Sequence, residues 1–315
     1  MPTPAFRFED LRRFEQLRQV EQLEADIWGP IDLVPVPIMA VTVKRGAVLV
    51  GAYDGDRLAG FVYSFPALGP GPGAGAATAG GCGAGPPGEP AGGTPSLPAA
   101  SHWSHTLGVH PDYRGAGLGR GLKLAQRQRV LAMGLDLIEW TYDPLQVLNA
   151  HLNFVTLGAV VEEYEENVYG ESASPLHGGL PTDRFVCQWW IRCPHVERRI
   201  ARAGQPARAG LASLAIVSHE VARAPVVNET SVDGRWLDCG AARLDLDAPR
   251  LAVDVPVDFT AMLADDIERA RRWRLQTREI FGHYFRAGYR VVDFALHRAQ
   301  QRGRYLLTTI RPPSA

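Results

Sequence analysis

Between Leu107 and Arg120 the chain reads LGVHPDYRGAGLGR. An apolar run ends at Val109, Pro111 breaks it, and three glycines precede a helical pattern. Such a loop gathers unpaired backbone N–H groups at the positive end of a helix, where an anion is favoured. Gly115, Gly117 and Gly119 would let the backbone come close to that anion. Arg114, Arg120 and Lys123 would add positive charge around the mouth. The stretch is neither of two common nucleotide loops. GxxxxGK[ST] is absent, and Gly115-Ala116-Gly117-Leu118-Gly119 has its third glycine one position too early for GxGxxG. Groups able to move a proton lie nearby in sequence. His105 and His102 precede the loop, and Glu139, Tyr142 and Asp143 follow it. His has the unperturbed pKa best suited to a base near neutral pH. Strand parity decides whether Ser104 or His105 faces a cleft, and the sequence leaves that open.

The elements that must carry these groups can be read from periodicity. Ala5–Glu9 reads as a strand, and Leu11, Phe14, Leu17, Val20, Leu23 and Ile27 recur at helical spacing up to Gly29-Pro30. AVLVGAY and RLAGFVYSF flank Asp54-Gly55, a hairpin signal. SHWSHTLGV predicts a strand and GLGRGLKLAQRQRVLAMG a helix stopped by Gly134. LDLIEWTY, VVEEYEENVYG and RFVCQWWI read as strands, with a short helix over NAHLNFVTLGA. Asn149 and Asn153, four apart, would share one face of that helix. Phe259–Arg286 predicts one long helix, followed by strands YRVVDFALHR and RYLLTTI. The junction Phe154…Gly158-Ala159-Val-Val echoes Phe285…Gly288-Tyr289-Arg-Val-Val, a candidate degenerate duplication.

Residues 69–100 are almost all Gly, Pro or Ala, with Glu89 as the single charge. Such a segment has nothing to bury against its ordering entropy and is expected to be a disordered insertion within a domain. The expected organisation is a catalytic domain over 1–195 that includes this insertion, a basic linker at 196–210, and an α/β extension at 211–315. The 315 residues carry 33 Lys+Arg and 34 Asp+Glu, so no net field favours nucleic acid or anionic membrane. No apolar run approaches the ~20 residues needed to span a bilayer, and the first residues lack a secretory h-region. Cys82, Cys187, Cys193 and Cys239 show no metal-ligand spacing. A cytoplasmic, reduced, metal-free protein is the expectation, with a homodimer left open. The alternation of Arg269, Arg271, Arg272, Arg274 and Arg278 with acids reads as a solvated helix face.

The stretch Arg114-Gly115-Ala116-Gly117-Leu118-Gly119, after Val109-x-Pro111, resembles the pyrophosphate loop of the GNAT acyltransferase superfamily. Asp143-Pro144-Leu145, Asn149 to Asn153, Tyr169-Gly170 and Pro181 to Arg184 resemble a branch of predicted acetyltransferases with a C-terminal extension. The resemblance implies a GNAT fold: a mixed, mostly antiparallel sheet that splays open, with flanking helices, followed here by a smaller C-terminal α/β unit. It implies acetyl-CoA or another acyl-CoA as co-substrate and direct transfer to the amine of a small molecule, an amino acid among the options. Leu107 and Val109 would pair with the pantetheine arm. Gly115 to Arg120 would hold the pyrophosphate beside Arg114, and Asn149 and Asn153 would bind coenzyme A or acceptor. His105 is the first candidate base, with Asp143 second and Tyr142 a candidate acid. The family's usual Tyr acid is replaced by Phe154. Arg184 suits a substrate carboxylate. A succinyl donor, or a coenzyme A-binding sensor without catalysis, are the alternatives.

Overall fold

The computed structural model describes residues 6–31, 33–69, 100–170, 178–203 and 219–310. The Gly/Pro/Ala insertion therefore falls almost wholly outside the described residues, as does the second half of the expected linker. The chain divides into two compact units. Among the described residues, those up to Trp140 belong to the first and those from Thr141 to the second.

In the first unit, β1 (Arg7–Asp10), α1 (Phe14–Trp28) and α2 (Val36–Thr42) precede a hairpin of β2 (Val48–Asp54) and β3 (Arg57–Leu68). β4 (Ala100–Val109), a 3-10 turn (Pro111–Tyr113), α3 (Leu118–Ala132) and β5 (Leu137–Tyr142) follow. β1 to β4 are antiparallel neighbours in chain order. β5 joins β4 in parallel, pairing His102 with Ile138 and Trp103 with Glu139. Strand period separates the two faces. Phe61 and Tyr63 of β3 join Leu17, Val20 and Leu23 of α1 and Met39 of α2 in one core. At Gly60, on the other face, an added Cβ would meet Leu118 and Leu122 of α3 at 3.1 and 3.2 Å. α2 went unpredicted, because Pro35 and Pro37 mask a helix that starts with Pro at its first turn.

The second unit contains α4 (Val147–Ala150) running into a π-helical turn (His151–Leu157), then β6 (Val160–Glu165) and β7 (Arg184–Trp190). α5 (Pro194–Ala203), α6 (His219–Arg223), a separate hairpin of β8 (Asn228–Asp233) and β9 (Trp236–Ala242), and β10 (Arg250–Pro256) come next. α7 (Phe259–Asp265), α8 (Ile267–Arg286), β11 (Arg290–His297) and β12 (Arg302–Thr308) complete it. The expected long helix over 259–286 is broken at Asp266. That residue leaves helical geometry (φ −145°, ψ 80°), and its carboxylate caps the Arg269 N–H at 3.0 Å. The expected linker is helical as far as Ala203.

The echo noticed in the sequence has a structural counterpart. Gly158 and Gly288 both end a helix with positive φ, 73° and 86°, and each leads into a hairpin, β6–β7 and β11–β12. β6 and β11 are themselves antiparallel partners through Val161 and Val291. An aromatic core of Phe154, Phe185, Phe281 and Tyr305 fills the unit. The Phe185 ring lies edge-on to Phe281 at 4.6 Å and to Tyr305 at 5.6 Å. Truncating such a fully buried Phe to Ala costs roughly 3–5 kcal/mol. Trp189 and Trp273 are also fully buried, and their indole N–H groups donate to Leu157 O and Leu237 O, both at 2.9 Å. Cys193 is disulfide-bonded, which corrects the expectation of wholly reduced thiols.

Candidate functional site

In the first unit the geometry converges on the end of β4. A bulge decides the open parity question. Tyr63 pairs with Thr106 and Ser64 with Ser104, so His105 is the extra residue. Ser104 turns toward α3, where it accepts a hydrogen bond from Lys123 Nζ at 2.9 Å. His105 turns the other way and keeps an exposed edge. Its ring lies against Tyr63 and Phe65, with centroids 6.1 and 5.8 Å away. Desolvation holds its pKa below the usual imidazole value, so at neutral pH it is an unprotonated ring able to accept a proton. His102, the weaker alternative, is fully buried with Nε2 3.2 Å from Gly46 O, and its pKa is also lowered by desolvation.

β4 runs six residues beyond its last pair with β5. Leu107 and Val109 lie on that extension, paired with Val62 and Gly60 of β3. The loop that follows is pinned from below by the tip of the hairpin. Arg57 donates to Asp112 at 3.0 Å, Tyr113 donates to Asp54 at 3.1 Å, and His110 Nδ1 accepts the Asp112 N–H at 3.2 Å. Gly115 (φ 82°) and Gly117 (φ 77°) then take conformations that other residues adopt only with strain, and nothing lies within 4 Å of where a Cβ would sit. Gly117 caps α3, and the first intrahelical bond of α3 runs from Gly121 N to Gly117 O. The N–H groups of Leu118, Gly119 and Arg120 thus form the helix's first turn, beside Arg114 and Ala116. The loop is open at Gly115 and Gly117. Lys123 does not contribute at the mouth as expected. It is buried, with Nζ 3.7 Å from the centroid of the Trp140 ring.

Glu24 was missed by the sequence reading, although it sits on the buried stripe of α1 between Val20 and Ile27. It accepts the Val34 N–H at 3.0 Å and so ties α1 to the segment before α2. Desolvation, with added repulsion from Glu21, pushes its carboxyl up to about 7.

The remaining candidates belong to the second unit. Tyr142 is fully buried, its hydroxyl 3.2 Å from that of Tyr305, and burial lifts its pKa well above the ordinary phenol value. Phe154 packs on it in the same core. Asn149 is exposed whereas Asn153 is buried in the π turn, so the two do not present one accessible face as expected. Asp143 is gripped by Arg274 of α8, with Nη1–Oδ1 2.9 Å and Nη2–Oδ2 2.6 Å, and also accepts the Leu145 N–H at 2.9 Å. Neither Tyr142 nor Asp143 is held as a free proton carrier. Arg184 lies under the exposed Tyr169, its Cζ 5.1 Å from the ring centroid. Its neighbour Asp183 is saturated: Arg278 donates twice (2.9 and 2.5 Å), Tyr164 at 2.7 Å and the Asn167 N–H at 3.0 Å. Burial would raise the Asp183 pKa, but these donors more than offset it and hold the carboxyl below its ordinary value. Among the described residues no helix is long and apolar enough to cross a membrane.

No family model matches the chain, and no curated protein does. Solved structures of acetyltransferases do align with it. NAA60 from Arabidopsis thaliana in complex with acetyl-CoA is 15% identical, with 59% of this chain and 99% of that one covered and a TM-score of 0.41. An acetyltransferase of the GNAT family from Streptococcus pneumoniae is 12% identical, with 58% and 98% covered and a TM-score of 0.41.

Proposed function

We propose that the chain is an acyl-CoA-dependent N-acyltransferase of GNAT type, taking acetyl-CoA and acylating the amine of a small molecule such as an amino acid. The observation that carries this reading is the open glycine cradle on the first turn of α3, directly after a bulged strand. Backbone N–H groups and the helix end suit a pyrophosphate, and Arg114 and Arg120 add charge. The β4 extension past Trp103 offers an extended backbone edge to the amides of a pantetheine arm. His105, unprotonated near neutral pH, takes the proton of the acceptor ammonium. The free amine attacks the thioester carbonyl, and the carbonyl re-forms as the carbon–sulfur bond breaks. Coenzyme A thiolate leaves, since its thiol pKa is modest, and the second proton, which the nitrogen sheds as the amide forms, passes through solvent to that thiolate. Most of the acceleration then comes from holding two reactants together. On this reading the donor chemistry belongs to the domain expected over residues 1–195. The cytoplasm, where acyl-CoA is made and used, is the fitting compartment.

A second reading, a coenzyme A-binding sensor, is favoured by the loss of Tyr142 and Phe154 to the core. Calorimetric titration with coenzyme A tests the donor site. Thiol release from acetyl-CoA and succinyl-CoA, against pooled amino acids and polyamines, tests turnover. Binding with thiol release supports the enzyme and names the donor. Binding without release from any pool leaves the sensor, and absence of binding sinks both.

A further inference from the structure

The second unit assembles an excess of positive charge around one carboxylate. Arg274, with its side chain 4% exposed, forks onto both oxygens of Asp143. The Arg184 guanidinium is also near Asp143, yet its Nη1 stays 3.8 Å from Oδ2, and among the described residues its one hydrogen bond is a long 3.4 Å contact to Asp183 O. The other carboxylate at hand, Asp183, already accepts four donors. Arg278, which supplies two of these, reaches Glu166 at 3.3 Å as well. Two guanidiniums therefore share Asp143, and only Arg274 reaches both of its oxygens at hydrogen-bond distance. Arg184 is left with a planar fork, Tyr169 stacked on one side, and an 11% exposed side chain. A nearly buried guanidinium whose anion stands off at 3.8 Å gains from a second, better-aligned one.

We propose that Arg274 is a positioning residue: by occupying Asp143 it keeps Arg184 available to clamp the carboxylate of a small ligand within the second unit. The clamp is built wholly from the second unit and does not depend on the acyltransferase reading. Without Arg274, the Asp143 carboxylate would draw Arg184 across the 3.8 Å gap and close the clamp. A carboxylate suits the site better than a phosphate, because one planar fork with one flat aromatic neighbour matches a planar two-oxygen group.

The test is succinate binding to the full-length chain by calorimetry, with inorganic phosphate as a parallel probe. Coenzyme A affinity and melting temperature are measured on every variant. Wild type should bind succinate more tightly than phosphate, and Arg184→Met should abolish succinate binding. Arg274→Met should weaken it at least tenfold. The double variant Arg274→Met/Asp143→Asn, in which no carboxylate remains to capture Arg184, should recover to within about threefold of wild type. A merely structural Arg274 would give no such recovery. The proposal is overturned if Arg274→Met binds succinate normally, if the double variant stays as weak as Arg274→Met, or if phosphate is preferred. Loss of coenzyme A binding in wild type, with the succinate pattern intact, would instead strike the acyltransferase reading and leave the clamp standing.

Discussion

Glu24 and Asp183 are both buried carboxylates, one in each unit, and they are treated in opposite ways. Glu24 receives one backbone N–H and has Glu21 as an ionisable neighbour, so burial wins and its pKa rises to about 7. Asp183 receives a guanidinium fork, a phenol and an N–H, so its partners win and its pKa falls. The contrast extends to the two proposed anion sites. The first unit offers backbone amides on a helix end, a soft field suited to a polyanion. The second offers side-chain forks held by neighbouring carboxylates, suited to one planar group. Substitutions in the two units should therefore fail differently: at the cradle through binding, at the ionic cluster through stability.

The largest effect should come from Gly117→Asp. It puts a negative charge and a strained side chain into the cradle, and the coenzyme A dissociation constant should rise more than 100-fold, with melting temperature close to wild type. Retained affinity would break the contrast at its first term. Next, His105→Ala should lower kcat by ~10²–10³-fold with donor affinity unchanged. Because the His105 pKa is depressed, wild-type activity should fall only below the usual imidazole range of about 6.5, and the variant should lack that acid limb. A pH–rate profile of both proteins checks this.

Asp183→Asn should cost about 3 kcal/mol, as breaking one side of a buried ion pair does. The sign follows from its depressed pKa. The stabilisation is present above the unfolded value near 3.9 and is lost as pH falls through the folded one. Urea melts should show a smaller gap between wild type and variant at pH 3 than at pH 7. Glu24→Gln is the mirror case and the smallest effect. A raised pKa favours folding fully below the unfolded value and loses that contribution as pH rises through about 7. The variant, still able to accept the Val34 N–H, should be about 1–2 kcal/mol more stable than wild type at pH 9. The gain should shrink toward nothing at pH 5. A gain that persists at pH 5 would mean burial is not what raises the Glu24 pKa.

The cradle was legible because its signal is local. Glycines at positive φ, a proline before them and an amphipathic helix after them are read from one stretch of chain. β2 and β3 were legible for the same reason, from Asp54-Gly55 between two apolar runs. β8 to β10 were not read, although Asp233-Gly234 marks their hairpin, because Glu229, Asp238 and the Asp245–Asp247 stretch mask the alternation. The face of His105 was hidden because one bulged residue inverts parity, and a bulge leaves no residue signature here. Arg274 was read as part of a solvated face, since it sits among Arg271, Arg272 and Glu268. Its partner Asp143 is 131 positions away, a distance over which charge patterning along a single helix carries no information.

The pairing of β6 with β11 has a consequence for self-association. A strand at the rim of a sheet is a template on which any other extended chain can crystallise, including another copy of itself. In this protein the second hairpin lies against the first, so β6 meets a neighbour from its own polypeptide. Two molecules cannot zip together along that strand without first unzipping themselves, so edge pairing is left to the strands at the ends of the sheet, β1 and β10. The echoed hairpin thus acts as a built-in seal, supplied once per chain and independent of protein concentration.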